Sequence, residues 1–348
     1  MISKSREVLL DCCLSNGTIV AANSDRPDYP HDVQNYRYVW PRDSAYICHA
    51  LEILGNTDEQ LAYFRWLKRL EDIESGLLFQ NYYVNGRKRW LSFQPDQNGS
   101  TLWVLCNFVK AHPEHKLELM PKIKLFADGI CSVWTKDYFN IQTQDLWEWF
   151  YTYPEMKTTF TYSLAACAHG LSLAYSLVKD KKYFNVSTQM IDKIKNSVLD
   201  GIILRRDGLI HDRRADISVL GLVWPFEIFK PDDEVMIGTI RYIHENLEEK
   251  GHFHRHAFDD YDSFKFQAND ARRGGGTWPI ATLWMSIYYS LKGEKKKAKK
   301  YYDNVITRLD ENKNIPEQFF ENDIQVSVKP LAWSHAMQIV AYNFLTKN

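Results

Sequence analysis

The sequence predicts an all-α protein, an (α/α)6 toroid of six helical hairpins with one small β-hairpin insertion. Three observations predict it. Apolar residues recur at helical spacing through about twelve segments, and Gly, Pro, Asn or Asp stands in the breaks between them. Only one stretch, 77–90, carries a convincing strand signal. The chemically dense motifs fall just before or after helices, where inner-helix ends and their loops would shape one funnel.

In chain order, helices are predicted over 3–14, closed by Asn16-Gly17, and over 43–54 and 58–72, parted by Gly55-Asn56. Leu-Leu-Phe-Gln-Asn-Tyr-Tyr-Val then runs into Asn85-Gly86 and Arg-Lys-Arg-Trp, the pattern of a hairpin with a tight turn. Helices over 98–111 and 116–136 flank His112-Pro113, and those over 159–178 and 182–198 flank Asp180. The series ends with 215–222, 232–248, 278–291, 294–310 and 331–346. The six lysines from Lys292 to Lys300 read as a solvated helix start. No Ser/Gly-rich linker or composition shift divides the chain, which is read as one catalytic domain over 1–348.

Composition bounds the function. A net charge of −1 gives no electrostatic reason to expect nucleic acid or an anionic membrane. Aromatic residues are abundant at 14%, and flat rings with polar edges suit the stacking of sugars as well as core packing. The six cysteines, Cys12, Cys13, Cys48, Cys106, Cys131 and Cys167, lie in apolar stretches with no metal-ligand spacing and read as reduced thiols. Neither a signal peptide nor a membrane span is visible, so the cytoplasm is the expected compartment. The expected partner is a small-molecule or oligosaccharide substrate bound by a monomer or homodimer, with no metal and no cofactor.

Two carboxylates carry the chemistry. Asp145-Leu146-Trp147-Glu148 and Pro316-Glu317-Gln318 each set a glutamate among aromatic or amide side chains. Hydrolysis of an acetal needs a proton for the leaving oxygen and an activated water, which two carboxyl groups in opposite protonation states supply. Trp147 and Trp149 beside Glu148 desolvate it partly, which raises its pKa. Upstream, Asn35-Tyr36-Arg37-Tyr38-Val39-Trp40-Pro41-Arg42-Asp43 precedes a helix that Asp43 is placed to cap. Arg42 and Asp43 suit two sugar hydroxyls, with Trp40 and Tyr36 over the ring faces.

On this last segment, ending Trp-Pro-Arg-Asp, the chain resembles family 15 of the glycoside hydrolases, the glucoamylase family. Asp-Leu-Trp-Glu at 145–148 followed by Phe160-Thr161, and Pro-Glu-Gln at 316–318 followed by Pro330-Leu331-Ala332-Trp333-Ser334-His335-Ala336, extend the resemblance over 31–346. It implies Glu148 as general acid and Glu317 as general base, with Tyr36 helping to hold the attacking water. Arg42 and Asp43 would hold the terminal glucose, Arg255 would reach sugar hydroxyls, and Trp333 would wall the pocket. Trp90, Trp147 and Trp149 complete the expected substrate-binding set, with Phe93 beside Trp90 as a further stacking candidate, and His335 reads as structural. Gln94-Pro95-Asp96-Gln97-Asn98-Gly99 resembles a family loop that opens a helix, and glycines 274–276 permit close backbone approach.

The implied activity is inverting release of β-D-glucose from the non-reducing end of α-glucosides or short α-glucans. Two departures stand out. Trp149 occupies the place of the family's second Glu, which bears on the choice among α-1,4, α-1,6 and trehalose linkages, and His256 replaces a Tyr beside Arg255. Neither an N-terminal β-sandwich nor a starch-binding domain is recognised, so a short soluble glucoside is expected. A non-catalytic sugar-binding toroid, or an (α/α)6 epimerase or lyase built on histidine bases, is the competing reading.

Overall fold

The computed structural model describes residues 1–262, 275–322 and 325–347. Its frame is a double ring of helices, and burial separates the two layers. Helices α2 (Pro41–Ile53), α4 (Pro95–Ala111), α6 (Thr161–Val178), α9 (Pro279–Leu291) and α11 (Ala332–Thr346) are buried over most of their circumference. A helix apolar nearly all round belongs inside. With the 3-10 helix Ile217–Leu222 they close a ring: α2 packs on α4, α4 on α6, α6 and α9 flank the 3-10 helix, α9 packs on α11, and α11 returns to α2.

The outer layer is α1 (Ile2–Cys12), α3 (Thr57–Trp66), α5 (Lys116–Val133), α7 (Lys181–Asn196), α8 (Glu234–Leu247) and α10 (Lys295–Thr307). Here one stripe is buried, as in α7, where Tyr183, Ser187, Met190 and Ile194 follow helical spacing. The lysines of α10 lie on its solvent side, as expected. Among the described residues, these twelve helical segments in two layers form the (α/α)6 toroid that the sequence predicts.

Several boundaries differ from expectation. The helix predicted at 98–111 begins at Pro95 and that at 43–54 at Pro41, because proline fits the first helical position, where its missing N–H costs nothing. Asp43 therefore lies inside the first turn of α2 and does not cap it; the cap position is Trp40, with no side-chain bond. The segment at 215–222 forms a 3-10 helix, cut short by Pro225. The hairpin forms as β1 (Phe79–Tyr82) and β2 (Lys88–Phe93), around a turn where Gly86 has φ of 92°. Four two-residue strand pairs, such as 143–144 with 151–152, escape the sequence reading because they are too short to alternate.

The hairpin has a structural task. Tyr82 and Val39 exchange both backbone hydrogen bonds at 2.9 Å, and Ala21 and Ala22 donate to Tyr38 and Tyr36, so the segment before α2 is fixed on two sides. Among the described residues no helix is long and apolar enough to cross a membrane.

Candidate active site

Five inner helices bring their N-terminal ends together at one end of the ring. Trp40, Arg42 and Asp43 stand at the start of α2, Asp96 in the first turn of α4, Ser163 in that of α6, Trp278 before α9, and Leu331 and Trp333 at α11. The partial positive charge of helix N-termini favours carboxylates there. A cavity of about 240 Å³ opens at this end, lined among others by Tyr36, Trp40, Arg42, Asp43, Leu146, Trp147, Glu148, Trp149, Arg255, Tyr261, Trp278, Glu317 and Trp333. Of the catalytic and sugar-binding candidates singled out from sequence, Trp90 and Phe93 are missing from its wall.

Trp90 sits on β2 opposite Asn81, 47% exposed. Register shifts on either side of Asn81 turn the strand, and alternation in the sequence does not reveal such bulges. Phe93 is buried against Phe139 and offers no stacking face. Arg272, Arg273 and Gly274 lie outside the described residues. Gly275 and Gly276 fulfil the close-approach expectation: a Cβ on Gly276 would come within 2.4 Å of the Phe319 carbonyl oxygen.

Glu148 is held by a tightly built loop. One oxygen of Asp145 accepts the backbone N–H groups of Trp149 and Phe150 at 2.8 and 2.9 Å, and the other accepts Arg205 Nη2 at 2.7 Å. Arg205 Nε also pairs with Asp216 at 2.9 Å, and Asp216 accepts the Trp147 indole N–H at 3.0 Å. Glu148 itself takes a left-handed conformation, φ 63°, which a non-glycine residue adopts only when its surroundings impose it. Its Oε1 accepts the Trp40 indole N–H at 2.6 Å and lies 3.5 Å from Arg42 Nη2, while Oε2 takes no hydrogen bond from the described residues. Burial pushes the carboxyl up to about 7; Arg42 and the Trp40 bond oppose the rise and Asp43 adds to it.

Glu317 is fixed from the other half of the chain. Its N–H donates to Val328 O at 2.9 Å, and Tyr36 donates its hydroxyl proton to Glu317 Oε1 at 3.0 Å. The carbonyl of Pro316 accepts Ser334 Oγ at 2.8 Å. His335 Nε2 accepts the Ile315 N–H at 2.9 Å, which leaves Nδ1 to carry the proton toward Ser5 Oγ, also at 2.9 Å. Burial drops this histidine to about 3, so it stays neutral and holds the loop.

Arg42 is the hub of the floor. Its guanidinium reaches Asp43 at 3.1 Å, Asp96 at 3.2 Å and the Leu146 carbonyl at 3.1 Å, and lies over the Trp333 ring. Burial works against its charge, yet the surrounding carboxylates raise its pKa. Arg255 forms a two-pronged pair with Asp259, both bonds at 2.7 Å, and stacks over Trp278. Sequence reasoning passed over Arg205 and Asp216 entirely, because their partners lie 60 and 69 residues away in the chain. Tyr261 and Trp278 also line the cavity, and an aromatic beside Asp or Pro was the available signal in the sequence.

The model of the family described as "Glycosyl hydrolases family 15" matches residues 13–89 and 70–315. This chain belongs to glycosyl hydrolase family 15. A relative described as an uncharacterized glycosyl hydrolase of Methanocaldococcus jannaschii is 30% identical over 95% of the chain, which spans 54% of that relative. The isomaltose glucohydrolase of Kribbella flavida is 19% identical, covering 87% of this chain and 83% of its own, and trehalase 1 of Sulfolobus acidocaldarius is 24% identical, covering 94% and 60%. Among solved structures, a glycosidase in complex with glucose superposes with a TM-score of 0.80 at 19% identity, over 99% of this chain and 95% of that one. A bacterial glucoamylase complexed with acarbose gives 0.73 at 18%, over 98% and 55%. The cavity described here presents two glutamates from opposite halves of the chain to one open cleft.

Proposed function

We propose that this chain hydrolyses α-glucosides from the non-reducing end with inversion, releasing β-D-glucose. The observation that carries the reading is the unequal pair: Glu148 is held near neutrality by burial while Glu317, on the same cavity, accepts a proton donor in Tyr36. Glu148 delivers its proton to the glycosidic oxygen as the bond to the anomeric carbon breaks. Glu317 takes a proton from water as the oxygen of that water bonds to the same carbon. The glucose ring occupies the closed end, where Arg42, Asp43 and Arg255 meet its hydroxyls and Trp40, Trp147 and Trp333 wall it. Trp149, 45% exposed at the same cavity, faces the leaving group and bears on linkage.

The names of the relatives span α-1,6 glucosides and trehalose, and both stand as alternatives beside short α-1,4 glucans. The free thiols suit a reducing compartment such as the cytoplasm. A screen of maltose, isomaltose, trehalose and maltooligosaccharides, followed by proton NMR of the fresh product, tests the reading. β-Glucose from at least one substrate is expected, with turnover reduced by about 10³-fold or more in Glu148→Gln and Glu317→Gln. Initial α-glucose, or near-normal turnover in either variant, overturns it.

A further inference from the structure

Three carboxylates share one cation at the floor of the cavity. Arg42 meets Asp43 at 3.1 Å, Asp96 at 3.2 Å and Glu148 at 3.5 Å. Asp43 and Glu148 line the cavity, whereas Asp96 is fully buried and lies off its wall, out of reach of a substrate. Its Oδ2 accepts Arg42 Nη1, and its Oδ1 accepts the Ser163 hydroxyl at 2.7 Å. Burial pushes Asp96 above the ordinary carboxylate range, while Arg42, Ser163 and its own place in the first turn of α4 favour the anion. Nη1 of Arg42 also donates to the Leu146 carbonyl, so the guanidinium is tethered through that nitrogen. Nη2, the nitrogen nearer Glu148, stays at the edge of hydrogen-bond reach.

We propose that Asp96 is a positioning residue for the proton donor: its negative charge holds Arg42 through Nη1 and competes for that cation, so Glu148 keeps its proton instead of closing an ion pair with Arg42. The proposal rests on the reading of Glu148 as acid. A carboxyl group that pairs fully with a guanidinium ionises at lower pH, and once ionised it has no proton to deliver. Asp96→Asn removes the charge and keeps the shape. The amide oxygen can accept Arg42 while its N–H group donates to Ser163, because a hydroxyl serves as donor or acceptor. The variant leaves in place Arg42 and Asp43 of α2 and the Asp145–Arg205–Asp216 brace behind Glu148. It also leaves Tyr36, Arg255, Tyr261 and Glu317 around the cavity unaltered.

The test is the pH dependence of kcat/KM for the full chain, measured for the wild type, Asp96→Asn, Ser163→Ala and Glu148→Gln. Without the Asp96 charge, Arg42 acts on Glu148 undivided and one nearby negative charge is gone; both lower the pKa of Glu148. The basic limb of Asp96→Asn therefore moves down by on the order of one pH unit. At roughly pH 8 kcat/KM falls about tenfold against the wild type, and at roughly pH 5 it changes by less than about threefold. A loss of packing alone would lower kcat/KM alike at both values. Ser163→Ala takes one donor from the Asp96 carboxylate, so its basic limb moves in the same direction by less, and it carries the test if Asp96→Asn does not fold. A basic limb that stays in place or moves up in the folded variant overturns the proposal. A basic limb that survives in the residual activity of Glu148→Gln instead removes the acid reading itself, whatever the Asp96 variant does.

Discussion

Glu148 shows how one residue sets both a pH range and a stability cost. Its folded pKa of about 7 lies above the unfolded carboxylate value of 4.5, so the folded chain binds the proton more tightly. The contribution of Glu148 to stability therefore declines as pH rises from 4.5 toward 7 and is constant below that window. Glu148→Gln is expected to unfold at higher urea at pH 7, by about 1–3 kcal/mol, with the gain gone at pH 4. Equal gains at both pH values would rule out the carboxylate as the cause. With Glu148 as the proposed acid, the same ionisation predicts that turnover falls as pH passes above about 7, where it gives up its proton.

At the scale of elements, the inner ring depends on close backbone contact. A Cβ on Gly99 of α4 would lie 2.3 Å from the Ala166 carbonyl carbon of α6, and one on Gly170 would lie 2.8 Å from the Gly99 oxygen. Gly99→Ala should lower stability by about 1–3 kcal/mol or more through overpacking, read as a drop in melting temperature, and reduce turnover with it, since Asp96 rides on the same first turn. The sequence reading recovers every helical segment of this ring yet begins α4 too late. Asp96, Gln97 and Asn98 look like loop residues because polar side chains normally face water; here they are buried to serve Arg42, the α2 backbone and Leu78. The strand pairs were invisible for another reason: two residues do not establish a period.

Across the whole molecule, the site draws on residues from Tyr36 to Trp333, so it exists only when α11 has returned to α2 and the ring is shut. Both glutamates, Arg42, Asp43 and Arg255 were legible because each sits in a local motif. The Asp145–Arg205–Asp216 brace was not, since it joins segments that carry no mutual signal in the chain. Coupling runs as far as the first helix: Ser5 on α1 holds His335, and His335 holds the backbone just before Glu317. Ser5→Ala removes the acceptor of a buried N–H and should cost about 1–3 kcal/mol in melting experiments, with a fall in kcat/KM despite its distance from the cavity; an unchanged melting curve would refute that link. The Tyr36–Trp40 stretch has a last consequence. Tyr36 grips Glu317 and Trp40 grips Glu148, their rings 5.4 Å apart on one short run of backbone. That run works as a caliper: its two jaws, one on each glutamate, gauge the gap between the two carboxyl groups.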